Sequence, residues 1–296
     1  MRTAFVTGGE GFVGSYLCDL LEEEGIRALS YDLRSGMDIR DYEQLRTALD
    51  IAQPDYVFHL AAQAFVPEST SDVRRGVDTN IVGTLNLLEA VRHTGSRARV
   101  LLAGTSEEYG YDNRGILTEL APCRPTTPYG VSKLAAGQLG MTYSRAYGIP
   151  VVATRAFNHT GPGHPPIYAV PSFAKRVIEV KKGLREAVIH GNLDSTRNYT
   201  DVRDMVAAYR LAIDLDPDVY NICSDNTVKV EKILELMIKL VGGNVPTQLV
   251  DSLYRAGSSD FPTPSCQRFT SLTNWRPQYS LEDTLRDTLI YWEHQV

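Results

Sequence analysis

Cysteine is scarce in this chain, and its scarcity is the first constraint on what the protein does. Among 296 residues there are four cysteines, Cys18, Cys123, Cys223 and Cys266, and no Cys-x-x-Cys pair. Neither a zinc site nor a disulfide framework is indicated, and isolated thiols fit a reducing cytoplasm. A basic excess is missing too: 30 Lys and Arg stand against 36 Asp and Glu, a net charge of −6. No broad nucleic-acid surface is expected, because neutralising phosphates needs a basic field. No apolar run is long enough to cross a bilayer, so no membrane is expected as a partner. Thr3-Ala4-Phe5-Val6-Thr7 follows the first two residues directly, without the charged segment and long apolar stretch of a signal peptide. Internal repeats and low-complexity tracts are absent.

What is present is an alternation. Short apolar runs at 3–7, 27–31, 55–60, 99–103 and 150–155 are separated by amphipathic stretches such as 11–24, 78–92 and 131–147. Strands and helices in turn, with β-branched apolar strands, predict an α/β fold around a doubly wound parallel sheet. After Arg155 the pattern changes. Residues 161–166 and 251–266 read as loops and 172–182 as a helix. The expectation is a dinucleotide-binding domain from 1–155 and about 188–222, with a smaller α/β substrate lobe from about 156–187 and 223–296. Ligands of open α/β sheets bind at the carboxyl ends of the strands, and the lobe is expected to cover that crevice.

The first strand runs into Thr7-Gly8-Gly9-Glu10-Gly11-Phe12-Val13-Gly14. Glycines at 8, 11 and 14 let the turn tighten, a pyrophosphate approach the backbone, and helix pack on strand. The helix start then offers N–H groups and partial positive charge. A lone glycine pattern is weak, but strand before and helix after is the context that a nicotinamide dinucleotide requires. Asp32 ends the second strand, where an acid accepts from the adenine ribose hydroxyls, and this favours NAD. Arg34, two residues on, suits a 2′-phosphate and keeps NADP open. Asp38 and Ile39 lie where an adenine contact forms.

Tyr129 and Lys133 are four apart, one face of a helix. A neighbouring ammonium lowers a phenol's pKa and can also bind the cofactor ribose, which makes Tyr129 a general acid or base. Chance alone yields about 0.4 such pairs from this composition, so the spacing gains its weight from the glycine motif before it. Thr105, after a strand candidate, carries a hydroxyl that can orient a substrate oxygen. His59, between Phe58 and Leu60, reads as a core histidine. His159 and His164 without patterned carboxylates do not make a metal site. Trp275, Tyr279, Tyr291 and Trp292 read as packing.

Taken together, the glycine motif, Leu60-Ala61-Ala62, Asn80-x-x-Gly83-Thr84-x-Asn86, the 105–110 run Thr-Ser-Glu-Glu-Tyr-Gly and Tyr129-x-x-x-Lys133 resemble the extended short-chain dehydrogenase/reductases. These are nucleotide-sugar epimerases, dehydratases and reductases. Two later stretches, at 155–163 and at 191–193 with 197–204, resemble the GDP-4-keto-6-deoxy-D-mannose reductases, which make GDP-D-rhamnose. The resemblance implies reduction of a keto-sugar with Thr105, Tyr129 and Lys133 as the catalytic set. Glu107 stands where the related dehydratases carry a base. It also implies that Gly8, Gly11, Phe12, Val13, Leu60, Ala61, Ala62 and Asn80 line the NAD(P) site. Asn158, Asn192 and Arg197 are expected on the sugar nucleotide, a GDP-sugar by preference, and Arg255 and Asp260 on its ribose. The Arg255–Asp260 spacing is longer than in the relatives, and Asn198 stands where they have Asp. A homodimer is expected through 78–92 and 131–147, with Ile81, Leu85, Leu88 and Val91 as its apolar set unless these face the sheet.

Three alternatives stand beside this reading. A 4,6-dehydratase or 4-epimerase would oxidise and re-reduce its cofactor within one cycle. A non-catalytic nucleotide sensor would not turn the cofactor over at all. For Arg197, the bland alternative is a surface ion pair with Asp201 or Asp204.

Overall fold

A computed structural model describes residues 1–250 and 262–296. The chain divides into two units. The first comprises Met1–Phe157, Val206–Ile222 and Pro264–Trp275; the second comprises Asn158–Met205, the described part of Cys223–Thr263, and Arg276–Val296.

The first unit is built on six strands: β1 (Thr3–Thr7), β2 (Arg27–Tyr31), β3 (Tyr56–His59), β4 (Arg99–Thr105), β5 (Val151–Ala156) and β6 (Val219–Ile222). They lie in the order β2-β1-β3-β4-β5-β6, all parallel. The chain leaves β1 for β2 on one side and returns to β3 on the other. The switch point therefore falls between the carboxyl ends of β1 and β3, where such sheets bind ligands. Helices α1 (Phe12–Glu23), α2 (Tyr42–Ala52), α3 (Gly83–His93) and α4 (Pro128–Tyr147) accompany the strands. Phe5, Val57, Val100 and Val151 share one core with Leu45, Leu49, Leu88, Val91 and Met141 of α2, α3 and α4. Their strand neighbours Ala4, Val6, Phe58, Leu101 and Val152 are also fully buried. Both faces of the sheet are thus covered, which is why its strands read as nearly continuous apolar runs. This is the Rossmann arrangement.

Three sequence expectations shift here. The helix expected over 78–92 is a π-helical turn, Asp78–Val82, followed by α3. The helix expected from 131 begins at Pro128, because Thr127 accepts the Gly130 N–H through its hydroxyl at 3.0 Å and proline suits the first helical position. Leu88 and Val91 are buried in the core and Leu85 packs against it, so these three of the expected dimer set face inward, while Ile81 is half-buried.

The second unit gathers Phe173, Val177, Ile233, Leu234, Met237, Leu285, Leu289 and Trp292 from three helices, Ala169–Lys181, Val230–Leu240 and Leu281–Gln295, around one core. Residues 188–205 were expected with the nucleotide-binding half, yet they lie here. Val188–His190 pairs with Thr247–Leu249, and Thr196–Asn198 pairs antiparallel with Thr227–Lys229. Conversely, 264–275 belongs to the first unit, where Phe269 and Trp275 pack with ring centroids 5.6 Å apart and planes tilted at 57°.

Candidate active site

The glycine loop is shaped by what cannot fit beside it. Gly8 has φ +74°, and a Cβ there would lie 2.8 Å from the Ala61 nitrogen. A Cβ on Gly14 would lie 2.0 Å from the Gly8 carbonyl oxygen. No residue but glycine permits this approach of β1, α1 and the 60–62 segment. Leu60 donates its N–H to the Thr7 carbonyl at 3.0 Å, and Ala61 donates to the Thr7 hydroxyl at 3.3 Å. Gly11, at the start of α1, offers no side chain to cap it. The first amides of the helix, those of Phe12 and Val13 among them, therefore suit an anion. This cradle fits a dinucleotide pyrophosphate.

At the end of β2, Asp32 accepts from the Arg34 N–H at 2.9 Å and the Glu10 N–H at 3.1 Å. It is thereby tied to the glycine loop. Arg34 donates through Nη1 to the Glu10 carbonyl. Asp38 forms an ion pair with Arg40 at 2.6 Å, and the guanidinium holds its carboxyl below the usual range. Ile39 is buried against Gly83.

Asn80 spends its side chain on the protein. It accepts from the Gln63 N–H at 2.8 Å and donates to the Ser132 hydroxyl at 2.9 Å and the Gln63 carbonyl at 3.2 Å. It thereby ties the loop after β3 to α4. A second chain of bonds runs behind it. The Thr84 hydroxyl donates to the Asn80 carbonyl at 2.7 Å, so it accepts from His59 Nε2 at 2.9 Å. His59 Nδ1 is then the acceptor for the Thr7 hydroxyl at 2.7 Å. The direction of every proton follows from the one carbonyl at the end. Burial, aided by nearby Lys133, pushes the imidazole down to about 3, so it stays neutral. His59 is a satisfied core histidine that holds two cofactor loops in register.

Thr105 ends β4 and caps the turn Ser106–Glu108. Its hydroxyl accepts from the Glu107 N–H at 3.3 Å, while the Glu108 carboxylate accepts from the Thr105 N–H at 3.0 Å. Helix α4 docks on this turn. A Cβ on Gly130 would lie 2.6 Å from the Glu107 carbonyl oxygen, so only glycine lets the helix start, and Tyr129 with it, come this near. Tyr129 is half-buried and Lys133, one turn on, is buried. Desolvation pushes the Lys133 ammonium down to about 8, with Glu108 pulling the other way. Lys133, Glu108, His59 and Thr154 share a small cavity. Glu107 accepts from the Tyr111 hydroxyl at 2.7 Å, and its other oxygen is buried with no hydrogen bond.

Sequence reasoning missed the support beneath this set. Glu108 pairs with Arg155 of β5 at 3.0 Å, both almost fully buried. Arg155 also donates to the Tyr109 hydroxyl at 3.0 Å, and Tyr109 donates to Asn221 of β6 at 2.6 Å. Burial pushes the Glu108 carboxyl up against the pull of Arg155, the Thr105 N–H and Lys133. The signal was available: an arginine inside the strand Val-Val-Ala-Thr-Arg-Ala needs a buried acid as partner.

In the second unit, the Asn158 carbonyl accepts from the Thr200 N–H at 2.9 Å, and Asn158 itself is exposed. Asn192 accepts from the Asp194 N–H at 2.8 Å, and Arg197 donates to the Thr196 carbonyl at 2.8 Å. Asp201 pairs with Arg203 at 2.8 Å, and Asp204 accepts from the Gln278 and Tyr279 N–H groups at 2.8 and 3.1 Å. Asn198 donates to the Ser224 carbonyl at 2.7 Å and the Thr227 hydroxyl at 3.1 Å, which an aspartate could not do. Arg255 and Asp260 lie outside the described residues. Among the described residues no group of His, Cys, Asp and Glu is arranged to hold a metal, and no helix is long and apolar enough to cross a membrane.

The sequence pattern of the family described as GDP-mannose 4,6 dehydratase matches residues 31–288. The GDP-6-deoxy-D-mannose reductase of Pseudomonas aeruginosa is 32% identical, over 99% of this chain and 97% of its own. The solved structure of RMD from Pseudomonas aeruginosa complexed with NADPH superposes with a TM-score of 0.92 at 30% identity, covering 100% of both chains. A UDP-glucose 4-epimerase from Thermotoga maritima with UDP-glucose gives 0.91 at 28% identity, covering 99% of each. With its six-stranded Rossmann sheet, this chain belongs to the GDP-mannose 4,6-dehydratase family of extended short-chain dehydrogenases/reductases, NAD(P)-dependent enzymes of nucleotide sugars.

Proposed function

We propose that the protein reduces the C4 keto group of a nucleotide-activated 4-keto-6-deoxyhexose, GDP-4-keto-6-deoxy-D-mannose in the first instance, to give GDP-D-rhamnose. The observation that supports it most is the docking of α4 on the 105–108 turn, which brings the helix start that carries Tyr129 and Lys133 against the turn that Thr105 caps. The 32% identity to a reductase of this class over nearly the whole of both chains supplies the substrate.

The bound nicotinamide would supply the hydride. Tyr129 delivers the proton to the C4 oxygen, Thr105 orients that oxygen, and Lys133 holds the ribose and favours the ionised phenol. In the second unit Asn192 and Arg197 contact the pyrophosphate, a guanidinium being the planar donor that such a group calls for, and Asn158 contacts the sugar. The four cysteines stand as free thiols, in keeping with a cytoplasmic enzyme, and a homodimer completes the reading.

A second reading, 4,6-dehydration, draws on Glu107, whose Oε2 has no hydrogen bond and is placed like a base. The bond from Tyr111 to the other oxygen weighs against it by restraining the carboxylate. Incubation with GDP-4-keto-6-deoxy-D-mannose and reduced cofactor separates the two. A reductase consumes one cofactor per product. A dehydratase or epimerase consumes none, and a sensor forms no product.

A further inference from the structure

We infer that Glu10 sets coenzyme preference: together with Asp32 it makes the end of β2 doubly acidic, so that it accepts the ribose hydroxyls of NADH and repels the 2′-phosphate of NADPH. The inference rests on reading the 8–14 loop as the coenzyme cradle. Glu10 is the side chain between two glycines of that loop, and it is fastened to the turn after β2 from three directions. Its N–H donates to Asp32 Oδ2 at 3.1 Å, its carbonyl accepts from Arg34 Nη1, and its Oε1 accepts from the Ser35 hydroxyl. The carboxylate is thus held over the place where the adenine ribose of a dinucleotide meets the second strand.

Arg34 is the residue that would otherwise welcome a phosphate. Its guanidinium is committed to a neutral carbonyl, and among the described residues it forms no ion pair with Glu10 or Asp32. The local balance is two acids against one arginine. Asp32 accepts one backbone N–H on each oxygen, and each oxygen keeps lone-pair capacity for a ribose hydroxyl. A 2′-phosphate brings between about one and a half and two further negative charges, and meets both carboxylates. Asp32 alone would disfavour it, and Glu10, held by Ser35, adds a second carboxylate on the same turn.

The test is direct binding of NADH and NADPH, by calorimetry, to the wild type and to Glu10→Gln. Glutamine keeps the length and the acceptor for Ser35 and removes only the charge. Wild type should bind NADH at least roughly tenfold more tightly than NADPH, and Glu10→Gln should tighten NADPH roughly tenfold while moving NADH less than about twofold. A second measurement needs no substitution: raising the salt concentration should narrow the wild-type preference, since screening weakens the repulsion. Equal wild-type affinities, an unchanged NADPH affinity in Glu10→Gln, equal weakening of both coenzymes, or a preference indifferent to salt would each overturn the assignment. Binding of neither coenzyme to the wild type would overturn the reading of the cradle itself, and the assignment with it.

Discussion

At the scale of single residues, the proposed reactive pair can be singled out in the sequence because its chemistry needs a spacing, while the residues packed beneath it cannot, because they are joined only by folding. Tyr129 and Lys133 announce themselves four apart on one helix. Glu108 and Arg155 are far apart in sequence and meet only once β4 and β5 pair. Tyr129→Phe removes the proposed proton donor, so turnover at saturating substrate should fall roughly 10²–10⁴-fold with coenzyme affinity kept. Turnover within a factor of two of wild type would remove the residue from that role. Lys133 adds a pH dependence. Burial has lowered its pKa to about 8, so the ammonium is present below that pH and lost above it. The kcat/KM for the coenzyme, which reports the free enzyme, should therefore decline as pH rises through about 8, and Lys133→Arg should abolish that limb. A profile flat to pH 9.5 would contradict it. The same shift runs the other way for stability. The folded chain binds fewer protons than the unfolded chain between the two Lys133 pKa values, so this group's contribution becomes more favourable as pH rises through that window.

Among the secondary elements, buried parallel strands and capped helices can be read from apolar runs, but the four-residue β6, interrupted by Asn221, does not stand out, and the apolar pattern of α4 begins three residues after its first residue, Pro128. The apolar period marks where a helix is buried, whereas its first turn is set by Thr127 and Pro128, which carry no periodicity. That first turn is where Tyr129 sits, so it can be tested by bulk. In Gly130→Ala, the new methyl would lie 2.6 Å from the Glu107 carbonyl oxygen and 3.0 Å from Pro125 Cβ. Backbone cannot yield as a side-chain tip does. Overpacking of this kind costs about 1–3 kcal/mol and alanine's helix propensity returns about 1, so net stability should drop modestly. A displacement of Tyr129 by about 1 Å should cost turnover far more, on the order of 100-fold. Gly137→Ala is the control: a Cβ there meets nothing within 4 Å, so it should stabilise the protein by up to about 1 kcal/mol. Thermal melts and kcat for both variants decide it. If Gly130→Ala keeps full turnover, the helix start is not what places the phenol.

For the whole molecule, the sequence suggests two interleaved parts, while 188–205 lies in the second unit and 264–275 in the first, because strand pairing between distant segments decides membership and leaves no local mark. The same limit applied to the expected dimer surface. An apolar period along 78–92 was visible, but not which way it faced, and Leu88 and Val91 proved to be core. What the fold leaves outside is different. Val73, Val77, Val82 and Val131 are 46, 39, 40 and 51% exposed. They lie on the helix Val73–Val77, the π-helical turn and the first turn of α4, which pack against one another. Scattered exposed apolar residues need no explanation, but four valines on adjoining elements mark a surface suited to association. The expectation is a homodimer through this patch. Light scattering on the chromatographed protein should give twice the 32.8 kDa chain mass, and Val82→Arg with Val131→Arg should return the chain to monomer. The two arginines would face like charges across a twofold axis as well as losing apolar contact. Neither side chain is buried in the single chain, so melting of the monomeric variant should remain cooperative. A wild type that runs as a monomer at micromolar concentration, or a double variant that stays dimeric, would place the association elsewhere or remove it.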